Sequence, residues 1–305
     1  RENNLEYDAG TEILVTPGAK QALVEAVLTT AGPGDEVIVF DPGWGSYDAI
    51  VRLAGATPVH VQLGTNFSID PDRLRQTVTP STRAMIVGTP GNPTGHVLDE
   101  TELSVLAEIC AGSDLLLISD EIYERITYGD VRVVSPASLP GMRERTVTVN
   151  GFSKAYAMTG WRLGYAAAPA GLVAAMLKVH EHSVTTATSF AQAGGIEALE
   201  GPQEPILEMV AEFSRRRSIV VDGLNRIPGI SCTVPDGAFY VFPDISRTGC
   251  TGTELATLFL RSGVAVTPGI GFGESWDTHI RLSYATSEER IRTGLDRMAS
   301  ALRRG

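Results

Sequence analysis

A chain of 305 residues, 43% of them apolar, can bury a large core and has room for one big domain and a smaller one, which sets disorder aside. A net charge of −11, from 25 Lys and Arg against 36 Asp and Glu, excludes a nucleic-acid surface and points to a small-molecule partner. Three cysteines, Cys110, Cys232 and Cys250, form neither a C-x-x-C pair nor an even framework, which argues against a zinc site or a disulfide scaffold.

No apolar run reaches transmembrane length and no signal sequence opens the chain, so the expectation is a cytoplasmic protein without a membrane partner. The chain opens on Arg1, and RENNLEYD reads as the interior of an element, so an upstream segment is expected.

Residues 12–16 (EILVT) read as a strand that runs through Pro17-Gly18 into a helix over 19–30, where Ala22, Leu23, Ala26 and Val27 keep helical spacing. Such a turn aims the free N–H groups of Gly18, Ala19 and Lys20 above the sheet, either as a phosphate site or as a plain structural turn. The strand at 35–40 empties into DPGWGSY, where Trp44 can stack on a flat ligand ring or pack under its loop. Residues 57–63 form another strand, with turn and short helix at 71–75 and 79–81. The apolar strand 84–87 leads into GTPGNPTG, whose Asn92 offers a donor and an acceptor to a ligand, or only forms a turn before Pro93. Asp99 and Glu102 make a capping box for a helix with Leu103, Leu106, Ala107 and Cys110 buried, ended by Gly112.

The buried strand 115–118 ends in Ser119-Asp120-Glu121-Ile122-Tyr123. A carboxylate at the end of so apolar a run is costly unless a cation or hydrogen bonds compensate it. A protonated ring nitrogen would do so for Asp120, with Tyr123 able to reach a phenolic oxygen on the same ring; a helix N-cap is the alternative role. Residues 146–149 form a strand ending at Asn150-Gly151, and Lys154 follows just past its end. Alone, Lys154 reads as a surface lysine. Arg162 lies eight residues on, ~12 Å away in an unbroken helix, but Thr159-Gly160 suggests a break that folds the guanidinium back. The pair then offers a nucleophilic amine and a phosphate clamp.

A strand at 163–168 and a helix at 172–179 lead into the Ser/Thr-rich HSVTTATS. Pro205 starts a long helix with Ile206, Met209, Val210, Phe213, Val220 and Leu224 on one side and Arg215, Arg216 and Arg217 as a solvated face. It bridges into a smaller α+β unit: a strand at 238–242, a helix at 254–261, and a strand at 279–284 with Arg281 opposite Ile280, Leu282 and Tyr284. Arg281 is either an exposed arginine or a clamp for a substrate carboxylate. Thr286 and Glu289 are expected to cap the last helix, packed through Ile291, Leu295, Met298 and Leu302.

Five strand ends of one sheet would thus carry an anion cradle, a stacking ring, an Asn, an Asp with a Tyr, and a Lys with an Arg. Pyridoxal phosphate chemistry uses them all. The motifs TPGAKQAL, NPTG, SDEIY, NGFSKAYAMTGWRLGY and HIRLSYATSEE resemble class I aminotransferases of pyridoxal-phosphate fold type I, and most of all the bacterial aspartate aminotransferase branch. The resemblance implies an α/β fold with a large, mostly parallel sheet, a cofactor domain over 1–212 and a small α+β domain over 213–305. It implies Lys154 as the Schiff-base lysine and proton shuttle, Asp120 on the pyridine nitrogen, Tyr123 and Asn92 on its phenolic oxygen, and Trp44 stacked on the ring. Ala19, Lys20 and Arg162 would hold the phosphate, with Ser153 a substitute for the hydroxyl that relatives carry where this chain has Gly151. Arg281 would bind the substrate carboxylate, with Asn92 and Trp44 beside it.

The same resemblance implies ping-pong transfer from an L-amino acid, aspartate favoured, to a 2-oxo acid such as 2-oxoglutarate, in a homodimer with a shared site. The family carries several dozen further residues upstream, including a glycine near the substrate and a tyrosine that reaches the neighbouring subunit's phosphate. A carbon–sulfur β-lyase and the ligand-sensing domain of a transcription regulator are the alternatives on this scaffold.

Overall fold

Strands that alternate with amphipathic helices have one economical packing, a parallel sheet with helices on both faces. The computed structural model, which describes residues 3–303, has this arrangement. In chain order the elements are β1 (Ile13–Thr16), α1 (Ala19–Thr30), β2 (Glu36–Asp41), α2 (Ser46–Leu53), β3 (Thr57–Gln62), α3 (Pro71–Thr77), β4 (Thr82–Gly88), α4 (Glu100–Gly112), β5 (Leu116–Asp120), β6 (Thr146–Gly151) and β7 (Gly164–Ala167). Then follow α5 (Ala170–Ser183), α6 (Ser189–Glu200), α7 (Glu204–Asn225), β8 (Tyr240–Val241), α8 (Gly252–Arg261), β9 (Thr267–Pro268), β10 (Ile280–Ser283) and α9 (Glu288–Leu302).

The large sheet has seven strands in the order β1-β7-β6-β5-β4-β2-β3. Its central pairs are parallel, while β7 runs antiparallel to both β6 and β1. Consequently β1, β2, β4, β5 and β6 all end at one edge of the sheet, and the segments that leave those ends converge there. Ala22, Val27, Val51 and Met176 from α1, α2 and α5 bury one face against Ile86 and Val149, while Leu74, Leu106 and Cys110 from α3 and α4 bury the other against Ile38 and Leu117. A three-stranded sheet, β8-β10-β9, forms its own core with α7, α8 and α9 around Leu224, Phe259, Ile280 and Met298.

The capping box at the start of α4 is present, Asp99 Oδ1 accepting from Glu102 N and Glu102 reciprocating. Three expectations are corrected and one helix is added. The final helix is capped by Ser287, which accepts from Arg290 N, because Thr286 stands one residue too early. The strand expected over 238–242 narrows to two residues, since Ala238, at its start, takes a left-handed φ of 56° and Phe239 packs edge-on to Tyr123 and tilted against Phe213. Residues 189–200, the stretch after the Ser/Thr-rich segment, form a helix that its glycines and weak patterning concealed. Arg217 is not solvated: its guanidinium lies 4.3 Å from the Tyr128 ring and donates to Pro235 O, while Arg215 and Arg216 pair with Glu212. Helix α7 crosses positions 212 and 213 without a break. The expectation placed on Arg1 lies outside the described residues.

Candidate active site

The converging strand ends enclose a cavity of about 370 Å³. Ala19 and Lys20 line it from the start of α1, Trp44 from the loop after β2, Asn92 from the loop after β4, and Asp120 and Tyr123 from the end of β5. Ser153, Lys154 and Arg162 enter from the segment after β6, and Arg281 from β10. Of the residues expected at the site, Gly18 alone lies beneath the wall instead of in it, and its role is steric.

At one end of the cavity Gly18 holds φ at 90° and gives α1 no side-chain cap, so the helix's first N–H groups have no competitor from its own N-cap. A Cβ at Gly18 would stand 2.5 Å from Arg162 Nη2, and one at Gly164 would stand 2.4 Å from Ala19 N. Only glycine at both positions lets the guanidinium close over the helix terminus. The expected break is also there: Thr159–Trp161 is a short 3-10 turn, and Arg162 itself takes a left-handed φ of 53°, its Nη1 donating to Thr159 O at 2.9 Å. A guanidinium above uncapped helical N–H groups is a ready anion site. Gly151 does not face this site. A side chain there would meet Leu163 O at 3.0 Å and Ile122 Cδ1 at 3.2 Å, so glycine is set by close packing between β6 and β7.

At the other end Asp120 is 5% exposed and ends β5; the residues after it form turns, which removes the helix N-cap alternative. Its Oδ2 accepts from Tyr47 Oη at 2.8 Å and its Oδ1 from Ile122 N at 3.3 Å. Burial raises its pKa to about 6 against the opposing pull of the Tyr47 bond and the Lys154 charge. Lys154 Nζ lies 5.5 Å from the Phe239 ring centre and 5.8 Å from that of Tyr123. Its pKa is lowered by burial first and then by the Arg281 and Arg162 charges, with Asp120 opposing, so more of the amine is neutral than in a surface lysine. The indole of Trp44 stands edge-on to Tyr47 with centroids 5.5 Å apart, and Lys20 Nζ sits 4.6 Å from its ring. Tyr123 Oη lies 3.0 Å from Tyr240 Oη.

The Arg281 guanidinium is held between two rings, 4.5 Å from Tyr240 and 4.8 Å from Phe272. It donates from Nη1 to Asn92 Oδ1 at 2.9 Å and from Nη2 to Thr267 Oγ1 at 3.3 Å, while buried Nε has no hydrogen-bond partner among the described residues. A planar cation so fixed suits a carboxylate. Sequence reasoning missed Tyr47 and Tyr240. Tyr47 falls three residues after Trp44, at the start of a helix where an aromatic reads as core; Tyr240 sits in a strand too short to show its face.

The whole of residues 1–298 matches the family model of class I and II aminotransferases. The aspartate aminotransferase of Musicola paradisiaca is 44% identical over 99% of this chain and 76% of its own length. That of Geobacillus stearothermophilus is 43% identical over 98% of this chain and 77% of its own. The crystal structure of an aromatic aminotransferase from Pyrococcus horikoshii superposes with a TM-score of 0.97 at 41% identity, covering all of this chain and 83% of the other.

Proposed function

The chain belongs to the class I and II aminotransferases, pyridoxal-phosphate-dependent enzymes of amino-group transfer, and from that premise we propose that it accepts the amino group of L-aspartate and passes it to a 2-oxo acid such as 2-oxoglutarate. The relatives named above are aminotransferases, which favours neither the lyase nor the regulator reading. The observation that carries the proposal is one cavity holding a lysine whose pKa is lowered by burial, a buried acid and a guanidinium over a helix terminus.

The residues present fit the cofactor at both ends. Asp120 is a buried carboxylate whose burial asks for a cation, and the cradle at Gly18, Ala19 and Arg162 is open to a dianion. When bound, pyridoxal phosphate supplies the electron sink and carries the amino group between donor and acceptor. We assign Asp120 to the pyridine nitrogen, which it keeps protonated, and Tyr123 and Asn92 to the ring's oxygen. Trp44 fixes the plane of the ring. The N–H groups of Ala19 and Lys20, Arg162 and the Ser153 hydroxyl hold the phosphate. Lys154 anchors the cofactor and then moves a proton at the substrate Cα, for which its depressed pKa suits it. Arg281 orients the substrate through its carboxylate. Lys20, a second cation at the cavity's rim, is the group we assign to a distal carboxylate, which is why aspartate is preferred.

The test is an absorbance spectrum of the protein with pyridoxal phosphate, before and after L-aspartate, beside Lys154→Ala. A visible band that aspartate moves to the near ultraviolet, and that the variant lacks, is expected. No lysine-dependent band would sink the reading.

A homodimer is part of the same proposal. Helix α6 exposes Phe190 at 72%, Ile196 at 55% and Leu199 at 53%, with Trp161 leaning on it at Gly194, an apolar surface that a second copy would cover. Light scattering giving the mass of one chain would refute it. A division at 212/213, with α7 as the bridge, and residence in the reducing cytoplasm also belong here; the latter is supported by three free cysteines. Among the described residues no helix is long and apolar enough to cross a membrane.

A further inference from the structure

We propose that Tyr47 is a positioning residue for the reaction: its phenol, admitted by the missing side chain at Gly88, fixes the Asp120 carboxylate against the cofactor ring and ties it to the stacking tryptophan. The inference rests on the cofactor reading above and deepens it.

Three observations converge on this side chain. First, its hydroxyl makes the one short bond to the acid, 2.8 Å to Oδ2, against 3.3 Å for the backbone N–H on Oδ1. Burial, then the Asp120 charge, hold the Tyr47 pKa well above its ordinary value, so the phenol stays protonated and can only donate to a carboxylate. Second, Gly88 is the last residue of β4 and pairs with Asp120 across the sheet. A Cβ there would come within 2.9 Å of Tyr47 Oη, so the phenol reaches the acid by crossing a strand end that bears no side chain. Third, the same ring meets Trp44 edge-on at 5.5 Å and 86°. A single buried side chain thus touches both the residue assigned to the ring's face and the residue assigned to its nitrogen, and it sets the angle between them.

Chemically, the acid must present one oxygen to the ring nitrogen and remain ionised while doing so. The titratable groups that face Asp120 are Tyr47 from α2, Glu121 and Tyr123 from its own turn, and Lys154 from the segment after β6. Tyr47 is the hydrogen-bond donor among them, and it occupies the oxygen that the ring does not need. A phenylalanine at 47 keeps the packing and loses only the donor, so the carboxyl would turn more freely and protonate more readily.

The test uses Tyr47→Phe and Gly88→Ala, the latter pushing the phenol away while keeping the tyrosine. In cofactor-free protein carrying carbon-13-labelled aspartate, the Asp120 carboxyl is titrated, its signal assigned by loss in Asp120→Asn. Both variants are expected to raise its midpoint, with an acid dissociation constant about tenfold smaller. In protein reconstituted with pyridoxal phosphate, kcat is expected to fall about tenfold or more with KM for the amino acid little changed, since Tyr47 touches no substrate group. A midpoint that stays put in Tyr47→Phe overturns the proposal, even where activity falls, because lost rate with an unmoved carboxyl is a packing effect. The titration needs no cofactor, so it decides the role of Tyr47 separately from the cofactor reading: absence of the lysine-dependent band in the wild type would overturn that reading alone.

Discussion

Arg281 Nη1 donates to Asn92 Oδ1 across 2.9 Å, and this bond joins β10 of the small sheet to the loop after β4 of the large one. The two residues come from positions 189 apart in the chain. Asn92 therefore does two things: it lines the cavity, and it aims the guanidinium that we assign to the substrate carboxylate. With Tyr240 and Phe272 on its faces, the guanidinium arrives already oriented. Lysine cannot use that slot, because an ammonium has neither the plane nor the fork. Arg281→Lys is expected to raise KM for every amino acid roughly tenfold to hundredfold, the range of a charge-assisted hydrogen bond of about 1.5–3 kcal/mol. The visible band of the bound cofactor should survive. A variant with unchanged KM would remove Arg281 from the substrate site.

Gly18→Ala tests the anion cradle from beneath. The backbone there, at φ 90° and ψ 157°, is a conformation essentially reserved for glycine that costs an L side chain about 1–3 kcal/mol, and the new methyl would fall 2.5 Å from Arg162 Nη2. The guanidinium has to move off the helix terminus. We expect pyridoxal phosphate to bind at least about tenfold more weakly in a cofactor titration, with a lowered melting temperature for the cofactor-free protein. Gly160→Ala is the control, since a Cβ at Gly160 meets nothing within 4 Å. Equal affinity in Gly18→Ala and wild type would mean that Arg162 does not hold the phosphate.

His96 gives the fold a pH dependence. It stands four residues after Asn92 on the loop between β4 and α4, with Nε2 2.8 Å from Glu102 Oε2 and Nδ1 4.0 Å from Asp236 Oδ2. Burial works against its charge, but Glu102, Asp236 and Asp99 outweigh it and raise the pKa above the ordinary 6.5. A raised value means that the folded state binds the proton more tightly than the unfolded one. The stabilisation is complete below pH 6.5 and is lost as pH climbs through the folded-state value. Melting temperature should accordingly fall across that window in the wild type, and the fall should shrink in His96→Asn. Identical pH profiles for the two proteins would remove His96 as the source of that dependence.

Strand ends and glycine turns made most of the site readable, because α/β sheets put ligand groups at one edge and the sequence shows where each strand stops. Lys154, Asp120 and Asn92, each read beside a plainer alternative, were placed at the cavity in this way. Arg281 was likewise one of two alternatives, since a period-2 pattern says which face a residue takes and not what that face overlooks. Tyr47 and Tyr240 escaped because their meaning depends on contacts between distant segments: Tyr47 with Asp120, Tyr240 with Tyr123 and Arg281. The Arg215, Arg216 and Arg217 run misled for a related reason. Charge suggested water, yet Tyr128 from a remote turn stacks on Arg217. Helix α6 was invisible because Gly194 and Gly195 interrupt its pattern, and they are there to admit Trp161 and Leu163.

Lys20 separates the choice of substrate from the chemistry. Its ammonium lies 4.6 Å from the Trp44 ring and 3.3 Å from Ser46 Oγ, at the rim of the cavity. Both contacts are ones a solvated lysine exchanges readily, so the group is free to turn toward an incoming anion. Arg162 and Lys154 are committed to the cofactor in our assignment and Arg281 to the first carboxylate, which leaves Lys20 for a second. Lys20→Ala should therefore raise KM for aspartate by roughly twofold to fivefold, the size expected of a partly exposed ion pair, and leave KM for alanine or phenylalanine close to wild type. Steady-state kinetics with the three donors at fixed 2-oxo acid make the comparison. An equal loss for all three would place Lys20 with the cofactor instead, and aspartate preference would have to come from elsewhere in the assembled enzyme.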